Sequence, residues 1–163
     1  MRKLACTGCL AAALALSAPG ALADQDTSGI AFPEGYRTWH HHHSTLNMKG
    51  HDPDGNVGMQ HVYANPAAVA GLKSGKYADG AVFAVDRFAY TEGDNHSIAQ
   101  TTRKVVAVMV KDARKYAETG GWGFQAFKGG DPNVRAVKDG GKACFTCHIP
   151  HADNDYLFTR GLN

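Results

Sequence analysis

One pentapeptide limits this chain more than any other feature: Cys144-Phe145-Thr146-Cys147-His148, a C-x-x-C-H motif close to the C-terminal end. That pattern reads as a covalent attachment site for c-type haem. Two thiols one helical turn apart each add across a haem vinyl group, and the imidazole that follows is held under the iron as proximal ligand. Two rival readings are weaker. Structural zinc needs four ligands, and no second cysteine pair remains once the first residues are set aside. A thioredoxin-like dithiol belongs after a first strand and is not followed by histidine. The expected cofactor is one covalently attached haem c, held by Cys144 and Cys147, with His148 as the metal ligand.

The opening residues carry a second address. Met1-Arg2-Lys3 forms a positive region, Leu4 to Leu16 an apolar one, and Ala21-Leu22-Ala23 an A-x-A cleavage site, the anatomy of a secretory signal. Residues 1–23 are therefore expected to be a signal peptide, 24–31 a flexible leader, and 32–163 a single domain. The apolar run is too short and interrupted for a membrane span, and none occurs later. The formal charge of +2 comes from Arg2 and Lys3, so the rest is nearly neutral. Near-neutrality argues against nucleic acid or an anionic membrane as partner. A signal combined with C-x-x-C-H predicts the periplasm, where haem c is attached.

Local patterns then sketch a fold. Asn65-Pro66 supplies an N-cap and a first-turn proline for a short helix that Gly75 can close. Asn47 to Gly58, with Asp52-Pro53-Asp54-Gly55, reads as a loop. Ala81 to Tyr90 and Val105 to Val110 read as two antiparallel strands separated by a polar segment at Thr91 to Gln100. Asp112 to Thr119 reads as a helix stopped by Gly120-Gly121, and Trp122 to Phe127 as a further strand. The predicted class is α+β: a mainly antiparallel sheet, a few short helices and a C-terminal haem-binding helix.

In this order the pieces resemble a known family. Tyr36-Arg37-Thr38-Trp39 comes first, then Val62-Tyr63 and Asn65-Pro66, then Gly75 to Gly80 leading into a strand. Val110-Lys111-Asp112, Gly121-Trp122, the C-x-x-C-H motif and Asp155 to Arg160 follow. Together they resemble the cytochrome P-460 family, including the beta-type cytochromes c-prime. The resemblance implies an antiparallel β fold, a homodimer, and a haem with His148 below and an open site above. Cytochromes P-460 carry a lysine cross-linked to the haem and a nearby carboxylate used in hydroxylamine oxidation. Counting from Asp79-Gly80 puts the lysine position at Val85, and counting back from Lys111-Asp112 puts the carboxylate position at Ala107. Carbon at both positions is closer to the c-prime pattern, in which an apolar pocket favours small neutral ligands such as nitric oxide.

Alternation along the strands agrees, since Ala81, Phe83 and Val85 share one face, as do Val105, Ala107 and Met109. Phe83 and Val85 are the expected haem contacts, and Arg160 is a candidate partner for a propionate. The histidines His40 to His43 are read as a solvated or partly packed cluster, with metal binding and a distal haem role as alternatives, and His151 as an undecided neighbour of the motif. The leading function is a periplasmic mono-haem c-type cytochrome whose open, apolar distal site binds nitric oxide or related small nitrogen oxides. An oxidoreductase acting on hydroxylamine or nitric oxide is the alternative and needs an acid–base group such as Asp86 or His61. A six-coordinate electron-transfer cytochrome, serving a redox partner protein, is the third and needs Met48, Met59 or a histidine opposite His148.

Overall fold

The computed structural model describes residues 28–51 and 53–160. The expected signal peptide and residues 24–27 of the leader lie outside the described residues, as does Asp52 of the anticipated turn. One antiparallel sheet carries the fold, in the order β1-β2-β3-β4-β5. Its strands are β1 (His40–Asn47), β2 (Gly58–Ala64), β3 (Val82–Glu92), β4 (Ile98–Lys111) and β5 (Trp122–Lys128). Helix α1 (Pro66–Gly71) joins β2 to β3, and α2 (Lys142–His148) follows β5 and runs into a 3-10 segment, Ile149–Asn154. This is the α+β class expected from the sequence. Among the described residues no helix is long and apolar enough to cross a membrane.

Asn65 explains why α1 starts where it does. Its side-chain oxygen accepts hydrogen bonds from the Ala68 N–H at 2.8 Å and from the Val82 N–H at 3.0 Å, so one cap fixes both the helix and the start of β3. Two sequence expectations are corrected. Half of the polar segment Thr91 to Gln100 is strand, because β3 extends to Glu92 and β4 begins at Ile98, and only residues 93–97 form the turn; its polar residues are the exposed end of a long hairpin. The expected helix over Asp112 to Thr119 is a turn followed by the 3-10 residues Ala117–Thr119. There the Asp112 carboxylate accepts from the Arg114 and Lys115 N–H groups and holds the backbone in a turn instead.

Strand register sorts the side chains onto two faces. Val62, Val85, Ala107 and Ala126 form one cross-strand row, and Ala64, Phe83, Met109 and Phe124 the next. This near face builds a core with Tyr77, Trp122 and Leu157, against which Cys144, Phe145 and Tyr156 pack. The far face carries Ala84, Val106, Val108 and Phe127, covered by Ile30 and Tyr36. Residues 28–31, expected in the leader, lie here: Ile30 is 3% exposed and its carbonyl accepts from Arg135 Nη1 at 2.6 Å.

At the centre of the far face sits Asp86, which is fully buried. Its carboxylate accepts from the Tyr36 hydroxyl at 2.6 Å, Arg37 Nη2 at 2.7 Å and Arg103 Nε at 2.8 Å. A buried charge is tolerated because its lone pairs are taken up by these donors. Removing the carboxylate leaves two guanidinium groups facing a hole. Because Arg37 and Arg103 are 53% and 31% exposed and can turn to water while the buried Tyr36 hydroxyl cannot, Asp86→Ala is expected to lose about 1–3 kcal/mol of unfolding free energy, checked by urea denaturation against the parent protein.

Candidate functional site

The C-x-x-C-H helix is docked by the three residues before it. Asp139 accepts from the Gly141 N–H at 2.9 Å and the Ala143 N–H at 2.8 Å, supplying the cap that Gly141 cannot. These bonds, that from Ala143 first, hold the Asp139 carboxyl below its usual range. Gly141 has φ +88, and a Cβ there would lie 2.9 Å from Phe124 Cβ, so only glycine lets α2 meet β5 this closely. Sequence reasoning passed over both residues. The Asp-Gly-Gly run just ahead of the motif was the signal that pointed to them.

Docking places the three expected attachment residues differently. Cys144 is half-buried against the near-face core and Cys147 is exposed; both are free thiols. Burial pushes the Cys144 thiol up, with the nearby Asp139 and Cys147 adding to it. The His148 ring sits 5.0 Å from the Phe124 ring and 4.5 Å from that of Phe158. Its Nδ1 lies 2.6 Å from the Tyr156 carbonyl oxygen. A carbonyl only accepts, so Nδ1 carries the proton and Nε2 is left with the lone pair, the tautomer a metal ligand requires. Burial also pushes the His148 pKa down, which keeps the imidazole neutral.

Across the near face, Val85 pairs directly with Ala107. Two positions located from separate motifs thus stand side by side, with Cβ atoms about 5 Å apart in such a pair. Phe83 lies in the adjoining row, 2% exposed, with its ring 5.3 Å from Tyr77 and 6.1 Å from Trp122. The Tyr77 hydroxyl is buried there and has no hydrogen-bond partner among the described residues. A haem c fits these residues: two free thiols a turn apart, an imidazole with Nε2 available, an apolar wall and an unsatisfied buried hydroxyl.

The family profile of cytochrome P460 matches residues 33–159. The chain belongs to the cytochrome P460 family. Membership makes it a haem c cytochrome. No curated protein matches the chain.

Within this cytochrome the other candidate residues divide by face. Asp86 and His61 pair with each other across β2 and β3 on the far face, so neither acid–base candidate stands on the side of the C-x-x-C-H helix. His61 bonds instead to Ser44 Oγ at 2.7 Å and Gln100 Oε1 at 2.8 Å. Met59, two residues before His61, alternates onto that same far face, and Met48 is 53% exposed. Arg160 pairs with Asp153 at 2.8 Å on the surface. His151 meets the Phe158 ring edge-on, with ring centroids 4.5 Å apart.

The run His40 to His43 is split by a break in the β1–β2 register between His41 and His43. His41 lies over Tyr63 on the far side, with ring centroids 5.6 Å apart. His42 and His43 instead share one hydroxyl, Thr159 Oγ1, at 3.0 and 3.3 Å. The His42 ring is 6.1 Å from Phe83, which places this pair on the near face. Among the described residues no group of three or more His, Cys, Asp or Glu is arranged to hold a metal ion. Burial first, then the neighbouring His43, His40 and His41, push the His42 pKa down to about 4.

Two outcomes follow. Gly141→Ala is expected to cost at least about 1–2 kcal/mol from the left-handed backbone alone, with a lower melting temperature and poorer haem incorporation when the two are measured together. His42 is neutral in the fold but takes up a proton in the unfolded chain below its ordinary value. The unfolded state therefore binds more protons between about pH 6.5 and 4, and stability falls as pH drops through that window. Replacing His42 by Phe should flatten the fall, as read from urea midpoints across the same range.

Proposed function

We propose that this cytochrome P460 family protein is an exported mono-haem c protein with an open, apolar distal site that binds nitric oxide or related small nitrogen oxides. Cys144 and Cys147 hold the haem by thioether bonds, and His148 Nε2 is its proximal ligand. The observation that carries the reading is the Val85–Ala107 pair. At the positions where the family's lysine and carboxylate would act, this chain presents one isopropyl and one methyl group. Such a wall gives an approaching anion no hydrogen bond and a nucleophile no proton acceptor, whereas a small neutral diatomic loses little on leaving water. The haem supplies the iron that takes the ligand. The protein's own part is to fix the imidazole on one side and to keep the other dry with Phe83, Val85 and Ala107.

The second reading, an oxidoreductase of hydroxylamine or nitric oxide, draws support from His42 and His43. These are the imidazoles that share the Thr159 hydroxyl on the near face, and they are the polar groups there that such chemistry would use, although a His42 pKa of about 4 makes it a weak base. The electron-transfer reading has lost its two named methionine ligands, although Met109 stands in the near-face row between Phe83 and Phe124. A homodimer belongs to this proposal as a family property, and a redox partner protein belongs to the electron-transfer reading.

The absorption spectrum of the oxidised and dithionite-reduced holoprotein, with and without nitric oxide, separates the three. A broad high-spin ferrous spectrum that changes on adding the gas is expected. Sharp ferrous bands that resist it would sink the proposal in favour of a sixth protein ligand, and hydroxylamine-dependent reduction of an acceptor dye would favour the enzyme. Ala107→Phe, which fills the wall, should weaken nitric oxide binding by about tenfold or more, a loss of roughly 1.4 kcal/mol, while leaving the spectrum of the unliganded haem unchanged.

A further inference from the structure

The carbonyl that fixes His148 belongs to an unusual stretch of backbone. Asp155 and Tyr156 are consecutive residues with φ of 50 and 66, and neither is glycine. Each left-handed residue costs about 1–2 kcal/mol, so the conformation persists only where its surroundings over-determine it. Asp155 shows what does so. Its Oδ1 lies 2.8 Å from Lys111 Nζ, and its Oδ2 accepts from the Tyr77 N–H at 3.0 Å. Both charged side chains are nearly buried, at 10% and 12% exposure. Lys111 also donates to the Gly120 carbonyl at 3.2 Å and sits 4.9 Å from the Trp122 ring. The Tyr156 ring closes over Gly120, where a Cβ would come within 2.4 Å of it, and lies 5.1 Å from Phe145 of α2.

Lys111 ends β4 and Trp122 begins β5, so the rigid sheet grips one carboxylate, and the residue after that carboxylate holds the imidazole. We propose that Lys111 and Asp155 are positioning residues for the proximal ligand: their buried ion pair locks the left-handed turn that aims the Tyr156 carbonyl at His148 Nδ1. An imidazole whose Nδ1–H is strongly hydrogen-bonded is a more basic ligand, and outer partners of this kind tune the bound metal. Loss of the pair lets the turn relax, weakens that bond, and leaves His148 less firmly oriented. The inference rests on His148 as haem ligand and is independent of which small molecule binds opposite.

The test is resonance Raman spectroscopy of the reduced holoprotein, reading the iron–histidine stretch, beside a potentiometric titration. Three variants are compared with the parent: Lys111→Met, Asp155→Asn and the double variant Lys111→Met/Asp155→Gly. The double variant leaves no unpaired buried charge and relieves the left-handed strain at position 155, Tyr156 keeping its own, and so keeps the test open if a single variant fails to fold. A positioning role predicts that the stretch moves to lower frequency in all the variants that fold. A purely electrostatic role predicts opposite shifts of potential in the two single variants, none in the double, and an unmoved stretch in all three. That second pattern, or no change at all, overturns the proposal. A parent protein that carries no haem, or whose haem lacks an iron–histidine band, would instead overturn the assignment of His148.

Discussion

The register of β3 against β4 is the constraint on which the rest of this protein depends. Side chains alternate across a strand, so a slip of one residue would exchange the two faces, bringing Asp86 to the side of the C-x-x-C-H helix and sending Val85 to the other. The far face forbids that exchange. Asp86 is gripped by Tyr36, Arg37 and Arg103, and an ionised carboxylate moved among Phe83, Met109 and Phe124 would find no donors. Interlocking aromatic rings on the near face make the same choice through packing. A polar cluster on one side of the sheet thereby guarantees that the other side stays apolar.

Much of this was legible in the sequence because the relevant signals are local. C-x-x-C-H, the Asn65-Pro66 cap and the β-branched runs each act within a few residues, and the structure follows them. The face shared by Phe83 and Val85 followed from alternation alone. What stayed hidden depends on pairing partners far along the chain. Strand β1 is rich in histidine and polar residues and has no apolar period; it is a strand because β2 offers it an edge. The break within its histidine run, which turns His42 and His43 toward Thr159, is invisible until that pairing exists. Alternation already sets Asp86 opposite Val85, but that His61 stands beside it on that face is visible only once β2 and β3 are in register.

The attachment helix illustrates a different dependence. Seven residues are too few for a helix to persist alone in water. Its order is lent by the surroundings: a carboxylate three residues upstream, a glycine that permits contact with Phe124, and a tail that returns over it. The same tail supplies both the carbonyl beneath His148 and the hydroxyl between His42 and His43. One stretch of six residues after the 3-10 segment therefore touches the proximal side of the site and the edge of its opposing wall.

Strand order carries a consequence for how the chain acquires its cofactor. Every pairing in the sheet joins strands adjacent in sequence, so the wall of the site assembles from successive hairpins, a fast route with little loop entropy to overcome. The cysteine segment takes no part in any of them. The segment lies beyond β5 and pairs with no strand, so the sheet is able to form while the helix that carries Cys144 and Cys147 is still undocked. Haem attachment at those thiols, as proposed above, would then precede the closing of that helix on Phe124.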